Sequence, residues 1–257
     1  MPEKEYIKGS LYVVATPIGN LKDITIRALD VLKEVDIIAC EDTRHTKKLL
    51  THYDIPTKLV SYHEHNEVKR TQEVLGMLKD GFNVAIVSDA GTPVVSDPGY
   101  VLISEALKEG YRIVPIPGAT AFLPALILSG ISNDKFTFCG FLERKASKRR
   151  EQLAELKMRE DTLIFYEAPH RIVSMLEDVK TVLGDRRCAA VKEITKLHEK
   201  AISGTVSEVV EVLGAEEIKG EFVVVVEGIM RDYEGKPKRE HVNKYSEFSK
   251  AIDKESK

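Results

Sequence analysis

A short apolar run, Val84-Ala85-Ile86-Val87, breaks abruptly into Ser88-Asp89-Ala90-Gly91-Thr92-Pro93-Val94-Val95-Ser96-Asp97-Pro98-Gly99. A buried strand ending in small, turn-forming and acidic residues brings backbone amides close to a ligand. Asp89 and Asp97 offer acceptors to hydroxyl or amino groups. Pro93 and Pro98 hold the loop in shape, which lowers the ordering cost of binding. The plainer reading of the same residues is a tight strand-to-helix turn with capping Asp side chains.

Other turn-rich segments follow apolar runs in the same way. They are 17–20, 41–46, 117–120 and 167–171. In open α/β sheets, ligands bind outside the carboxyl ends of the strands, so all five loops belong to one candidate site. Thr16-Pro17-Ile18-Gly19-Asn20 lacks the GxGxxG turn of dinucleotide binders, and no GxxxxGK[ST] phosphate loop occurs. His63 and His65 have no evident third partner, so no metal site is expected.

The elements that must position these loops alternate between strand and helix. Strands are predicted at 11–16, 36–40, 58–61, 84–87 and 112–115. Helices are predicted at 25–34 (capped by Asp23, with Ile26, Leu29 and Leu32 on one face), 67–79 (with Val68, Leu75 and Leu78) and 100–108. Such βα repeats imply a mostly parallel, doubly wound sheet. A second unit has strands at 136–140, 162–166, 187–192, 196–203 and 221–227, with helices at 148–159, 171–183 and 205–213. Successive strands without a helix between them imply a mixed sheet. The consecutive valines near 223–226 imply burial on both faces. The expected organisation is α/β throughout: an N-terminal unit 1–117, a C-terminal unit 118–230 and a charged tail 231–257.

At 257 residues and 43% hydrophobic content, the chain has material for a large core. No apolar run reaches membrane-spanning length, and the charged N-terminus lacks a signal-peptide core, so a cytoplasmic protein is expected. Cys40, Cys139 and Cys188 are odd in number and widely spaced, which favours buried free thiols. A formal net charge of −3 argues against an indiscriminate nucleic-acid binder but allows a local basic patch.

The motifs Thr16-Pro17-Ile18-Gly19-Asn20-Leu21, Glu41-Asp42-Thr43-Arg44-His45-Thr46, Ser88-Asp89-Ala90-Gly91-Thr92-Pro93, Asp97-Pro98-Gly99 and Phe165-Tyr166-Glu167-Ala168-Pro169-His170-Arg171 occur in one order. Together they resemble the tetrapyrrole-methylase-like class of S-adenosylmethionine (SAM) methyltransferases. Within it they are similar to the group acting on small-subunit ribosomal RNA. The resemblance covers about residues 10–228. It implies two α/β domains with SAM in the cleft between them, a homodimer, and methylation of the ribose 2′-oxygen of a decoding-region cytidine. It also implies cofactor contacts at Pro17, Ser88, Asp89, Ala90, Gly91, Thr92, Pro93, Ala119, Thr120 and Tyr166. Ala119-Thr120 reads alternatively as a helix start, and Tyr166 as a core aromatic.

A ribose hydroxyl attacks poorly until its proton is removed or strongly hydrogen-bonded. Candidate bases are Glu41, Asp42, His45, His63, Glu167, His170 and Glu193, with Glu167 and Asp42 ranked first. Asp42 reads equally as a helix cap and Glu41 as a surface acid. Arg44 is expected to orient a carboxylate or hold a phosphate. Arg144, Lys145, Lys148, Arg149 and Arg150 form the best basic cluster for RNA phosphates, ahead of Lys47 and Lys48. Rival readings keep SAM with a tetrapyrrole or protein acceptor, or drop catalysis for a role in ribosome assembly.

Overall fold

The computed structural model describes residues 9–215 and 217–229, which form two five-stranded sheets. The expected tail at 231–257 lies outside the described residues. The first sheet comprises β1 (Ser10–Val14), β2 (Ile37–Cys40), β3 (Lys58–Ser61), β4 (Val84–Val87) and β5 (Arg112–Ile116). Their order is β3-β2-β4-β1-β5, and every pairing is parallel. Parallel neighbours need crossovers. These run through α1 (Ile26–Glu34), α2 (Thr43–His52), α3 (Glu67–Lys79) and α4 (Tyr100–Lys108).

β4 explains why the sheet is covered on both sides. Val84 and Ile86 pack with Leu75, Leu78 and Leu102 of α3 and α4. Ala85 and Val87 face the opposite layer, with Ala28, Leu32 and Leu50 of α1 and α2. The period-two alternation of a strand therefore feeds two cores. Two helix faces differ from expectation. Ile26 is 80% exposed and Val68 77%, because each lies in the first turn of its helix before the buried stripe begins. Thr25, not Asp23, caps α1, its side chain accepting the Ala28 N–H at 3.1 Å. Asp23 closes a separate short turn, Leu21–Asp23.

α5 (Phe122–Ser129) falls between the predicted strands at 112–115 and 136–140, where no element is predicted. Its eight residues are apolar nearly all round and carry little amphipathic period, so pattern reading passes over it. Then follow β6 (Phe136–Phe141), α6 (Ala146–Leu156), β7 (Thr162–Glu167), α7 (Ile172–Leu183), β8 (Arg187–Lys192), β9 (Lys200–Thr205), α8 (Val206–Gly214) and β10 (Phe222–Val226). The order is β6-β7-β10-β8-β9, with only β6 and β7 parallel. β9 starts at Lys200 rather than 196, which leaves 193–196 as a turn. Val224 and Val226 of β10 pack with α6, α7 and α8, whereas Val223 and Val225 pack with α5. Each fully buried valine contributes roughly 1.5–3 kcal/mol.

Cys40, Cys139 and Cys188 are all free thiols, the first and last buried. Among the described residues, no helix is long and apolar enough to cross a membrane.

Candidate active site

The carboxyl ends of β1, β4 and β5 meet the ends of β6, β7 and β8 and the start of β10 around a cavity of about 360 Å³. That volume lies within the roughly 300–1,000 Å³ range of small-molecule sites. The β4 loop is its floor, and hydrogen bonds to neighbouring loops hold it. Thr16 and Gly91 exchange main-chain bonds at 2.9 and 3.0 Å. The Thr16 hydroxyl donates to the Ser88 carbonyl at 3.0 Å, and the Thr92 hydroxyl to the Ala119 carbonyl at 3.2 Å. The Ser88 hydroxyl donates back to the carbonyls of Ala90 and Gly91.

Two turns at the cavity are strained. Val94 and Ser96 have φ of 74° and 69°, and Glu193 and Thr195 have 53° and 68°. Left-handed backbone at β-branched Val94 and Thr195 is costly and persists only where the surroundings over-determine it. Such strain gathers at functional sites. A third irregularity lies in β6. Its pairing with β7 shifts between Phe138 and Gly140, where Gly140 has φ of 64°. The bulge brings both Phe138 and Phe141 against Tyr166, at ring separations of 4.9 and 5.5 Å. Without it, residues three apart on a strand would face opposite sides. Phe141 is thereby delivered to the cavity rim, 55% exposed.

The cavity carboxylates differ sharply in their surroundings. The Glu167 side chain is wholly buried. Its Oε1 accepts the Ala168 N–H at 2.8 Å and lies 3.1 Å from Arg171 Nε. Its Oε2 is buried and has no hydrogen-bond partner among the described residues. Burial raises the Glu167 carboxyl, against the Ala168 N–H and the charges of Arg171, Arg149 and His170. Glu193 and Glu221 share Lys196, whose Nζ lies 3.0 and 3.4 Å from them. Burial opposes ionisation of Glu193, but Lys196 and the Glu221 N–H outweigh it and lower its pKa. Asp97 is different: burial, followed by the nearby Glu41 carboxylate, pushes it up to about 6, with the Ser88 hydroxyl opposing and Asp89 adding.

Of the expected cofactor contacts, Asp89, Ala90, Gly91, Thr92, Thr120 and Tyr166 line the cavity. Tyr166 thus borders the cavity while also packing with the α5 core cluster. Pro17, Ser88, Pro93 and Ala119 lie behind that lining. Ser88 and Ala119 support it through the bonds just described, and α5 starts at Phe122, so Ala119-Thr120 is loop. Among the candidate bases, Glu167 and Glu193 line the cavity; Glu41, Asp42, His45, His63 and His170 do not. Arg44 also lies outside it. Asp42 caps α2, accepting the Arg44 N–H and pairing with the Arg44 guanidinium, both at 2.8 Å. Those bonds, the side-chain one foremost, hold its pKa well below the usual range, which makes it a poor proton acceptor. Burial raises Glu41, with Asp89 adding and His63 opposing.

The basic cluster divides. Arg144, Lys145 and Lys148 are exposed at the start of α6. Arg149 is 4% exposed and clamps Asp178, with contacts of 2.7 and 2.6 Å. It is a core cation, not an available phosphate ligand. Arg150 is exposed but pairs with the same Asp178 at 3.0 Å. Sequence inspection named Asp97 as an acceptor in the β4 loop but not among the candidate bases, and it missed Ile194 and Lys196 as cavity residues. Asp97 had a signal in its acidic, Pro-flanked turn; Lys196 had none, since 196 reads as the start of a strand.

The tetrapyrrole (corrin/porphyrin) methylase family model matches residues 10–210. A Halalkalibacterium halodurans protein named ribosomal RNA small subunit methyltransferase I is 52% identical over 86% of this chain and 76% of its own. A Bacillus subtilis protein of the same name is 51% identical over 86% and 75%. The chain belongs to the ribosomal RNA small subunit methyltransferase I family of tetrapyrrole methylases. It is a methyltransferase. Solved structures share its fold: a diphthine synthase aligns with TM-score 0.65 at 15% identity, over 86% of this chain and 90% of its own. A Thermus thermophilus uroporphyrin-III-C-methyltransferase gives 0.61 at 20%, over 85% and 94%. In this chain the cavity lies between the two sheets, lined from both.

Proposed function

We propose that this chain transfers a methyl group from SAM to the ribose 2′-oxygen of a cytidine in the decoding region of small-subunit ribosomal RNA. The observation that carries the reading is a small-molecule cavity whose rim residue, Phe141, lies three residues before an exposed basic segment along the chain. Phe141 lines the cavity, and Arg144, Lys145 and Lys148 stand exposed just beyond it. Family membership supplies the methyl chemistry, and the relatives' name supplies the RNA. Exposed cations beside the cavity suit a phosphate backbone.

The cavity's donors and acceptors fit SAM. SAM carries no phosphate, and no phosphate-cradling loop is present. Ile18, Ile194 and Val223 offer apolar walls, while main-chain groups of residues 89–92 and 120–121 offer hydrogen bonds. The unpartnered Glu167 Oε2 is an acceptor awaiting a ligand hydroxyl or ammonium group. When bound, SAM supplies an activated methyl group on a cationic sulfur. The chain's own task is alignment of the acceptor hydroxyl, exclusion of water and removal of one proton. Glu167 is held in place by Arg171 and positions the ligand. The Lys196 stem reaches from the second unit and packs over Gly19 in the β1 loop, where a side chain would collide with it. That contact joins the two walls.

The reading includes a division into units 1–117 and 118–230, cytoplasmic residence and a homodimer. Leu123, Ile127 and Leu128, exposed on α5, provide apolar surface for self-association. The test offers labelled SAM with three acceptors in parallel: unmodified small ribosomal subunits, a tetrapyrrole, and a protein extract free of RNA. Label in RNA alone supports the reading. Label in either of the others contradicts it.

A further inference from the structure

We propose that Asp97 is the catalytic base, accepting the proton of the acceptor hydroxyl at the seam between the two sheets. The proposal rests on the ribose-methylation reading above.

Five carboxylates line the cavity: Asp89, Asp97, Glu167, Glu193 and Glu221. Four are already engaged. Asp89 Oδ1 accepts the Asp42 main-chain N–H at 3.1 Å. Glu167 is paired with Arg171. Glu193 and Glu221 share the single Lys196 ammonium. Lys196 lowers the proton affinity of Glu193, and Arg171 opposes the rise that burial gives Glu167, whose free Oε2 is left to position the ligand. Asp97 forms no ion pair among the described residues. It faces the Ser88 hydroxyl and two more carboxylates, Glu41 from the end of β2 and Asp89 from the end of β4. Tyr166 of β7 lies within electrostatic range on the other side.

The turn that carries Asp97 is braced. Ser96 before it and Gly99 after it have φ of 69° and 127°, and Pro98 fixes the bond between them. Ser96 Oγ sits 3.1 Å from the point where a side chain on Gly140 would begin. The turn therefore abuts the β6 bulge of the opposite sheet, which sets Asp97 in the cavity wall at the seam between the two sheets. Burial and the neighbouring carboxylates keep its proton affinity high enough to work near neutral pH.

The step balances as follows. The acceptor O–H bond breaks and its proton passes to an Asp97 carboxylate oxygen. The oxygen's electron pair forms the new bond to the methyl carbon of the sulfonium donor. The carbon–sulfur electron pair remains on sulfur as a neutral thioether, and Asp97 later yields its proton to solvent.

Wild-type protein, Asp97→Asn and Asp97→Glu are compared by three measurements. Carbon-13 NMR of carboxyl-labelled aspartates in the ligand-free protein should show one group titrating near 6, absent from Asp97→Asn. Calorimetry should find SAM affinity within about threefold of wild type in Asp97→Asn. Rates across pH should show wild-type kcat/KM on small subunits rising about tenfold per unit below that pKa, then levelling. Asp97→Asn should be slower by roughly 100-fold or more and lack that limb, while Asp97→Glu restores part of the rate and keeps a limb. An acidic limb persisting in Asp97→Asn overturns the proposal. So does a loss of SAM affinity beyond about tenfold, which would make Asp97 a cofactor ligand. Wild-type protein that methylates no ribose fails the function reading itself, before any variant is compared, and takes the base assignment with it.

Discussion

The Asp89 carboxylate accepts a hydrogen bond from the Asp42 main-chain N–H at 3.1 Å, tying the loop after β4 to the loop after β2. One residue thus shapes two segments of the site: it lines the cavity and fixes the entry to α2. A hydrogen bond to a charged group is worth about 1.5–3 kcal/mol. Asp89→Ala should lose roughly that stability in denaturant melts and should weaken SAM binding in calorimetry. Asp89→Asn keeps an acceptor and should recover most of the stability. Unchanged SAM affinity in Asp89→Ala would remove Asp89 from the cofactor site.

Asp97 should make stability depend on pH in the direction opposite to most aspartates. An ordinary aspartate ionises near about 3.9. Folded Asp97 ionises at about 6. Between those values the folded protein holds a proton that the unfolded chain has released, so stability falls as pH rises through the window. Above it the cost is constant, on the order of 2–3 kcal/mol. Asp97→Asn should therefore be more stable than wild type at pH 8 and equal to it below pH 4. Melts that show no such crossover would contradict the burial argument.

The α/β alternation, the parallel first sheet and four of the five expected cavity loops were legible from apolar runs and turn residues, because those patterns are local; the 41–46 loop stays outside the lining. What escaped depends on contacts distant in sequence. Arg149 resembles its exposed neighbours Arg144 and Lys148 until Asp178, on α7, is brought beside it. Asp42 and Asp97 look alike as acids in loops. Arg44 depresses one, and burial with Glu41 raises the other, so two acids alike in sequence differ as proton acceptors. The strained 193–196 turn is hidden because 193–195 read as a plain link between strands and Lys196 as the start of the next.

The buried Arg149–Asp178 pair separates folding from RNA contact. Asp178→Ala leaves an uncompensated buried guanidinium and should cost about 3–5 kcal/mol. Arg144→Glu, Lys145→Glu and Lys148→Glu, all exposed, should leave the melting curve nearly unchanged. Combined, they should sharply weaken methylation of small subunits while preserving SAM affinity. Full activity in that triple variant would remove the basic segment from the RNA interface.

Gly140 is required by its backbone. At φ of 64°, with Ser96 Oγ 3.1 Å from the position of a new Cβ, alanine meets both torsional strain and a close contact. Gly140→Ala should lose about 1–2 kcal/mol and displace Phe141 and the Ser96 turn together. Crystallography or tryptophan fluorescence from a Phe141→Trp reporter would detect the shift. An unperturbed rim would show that the bulge is not what delivers Phe141.

The most direct test maps the product. Small ribosomal subunits lacking their native modifications are incubated with the protein and methyl-labelled SAM, then digested and analysed by nucleoside mass spectrometry. The account predicts label on the 2′-oxygen of one decoding-region cytidine. Label on a base, on another nucleotide, or on no RNA while SAM still binds would contradict it.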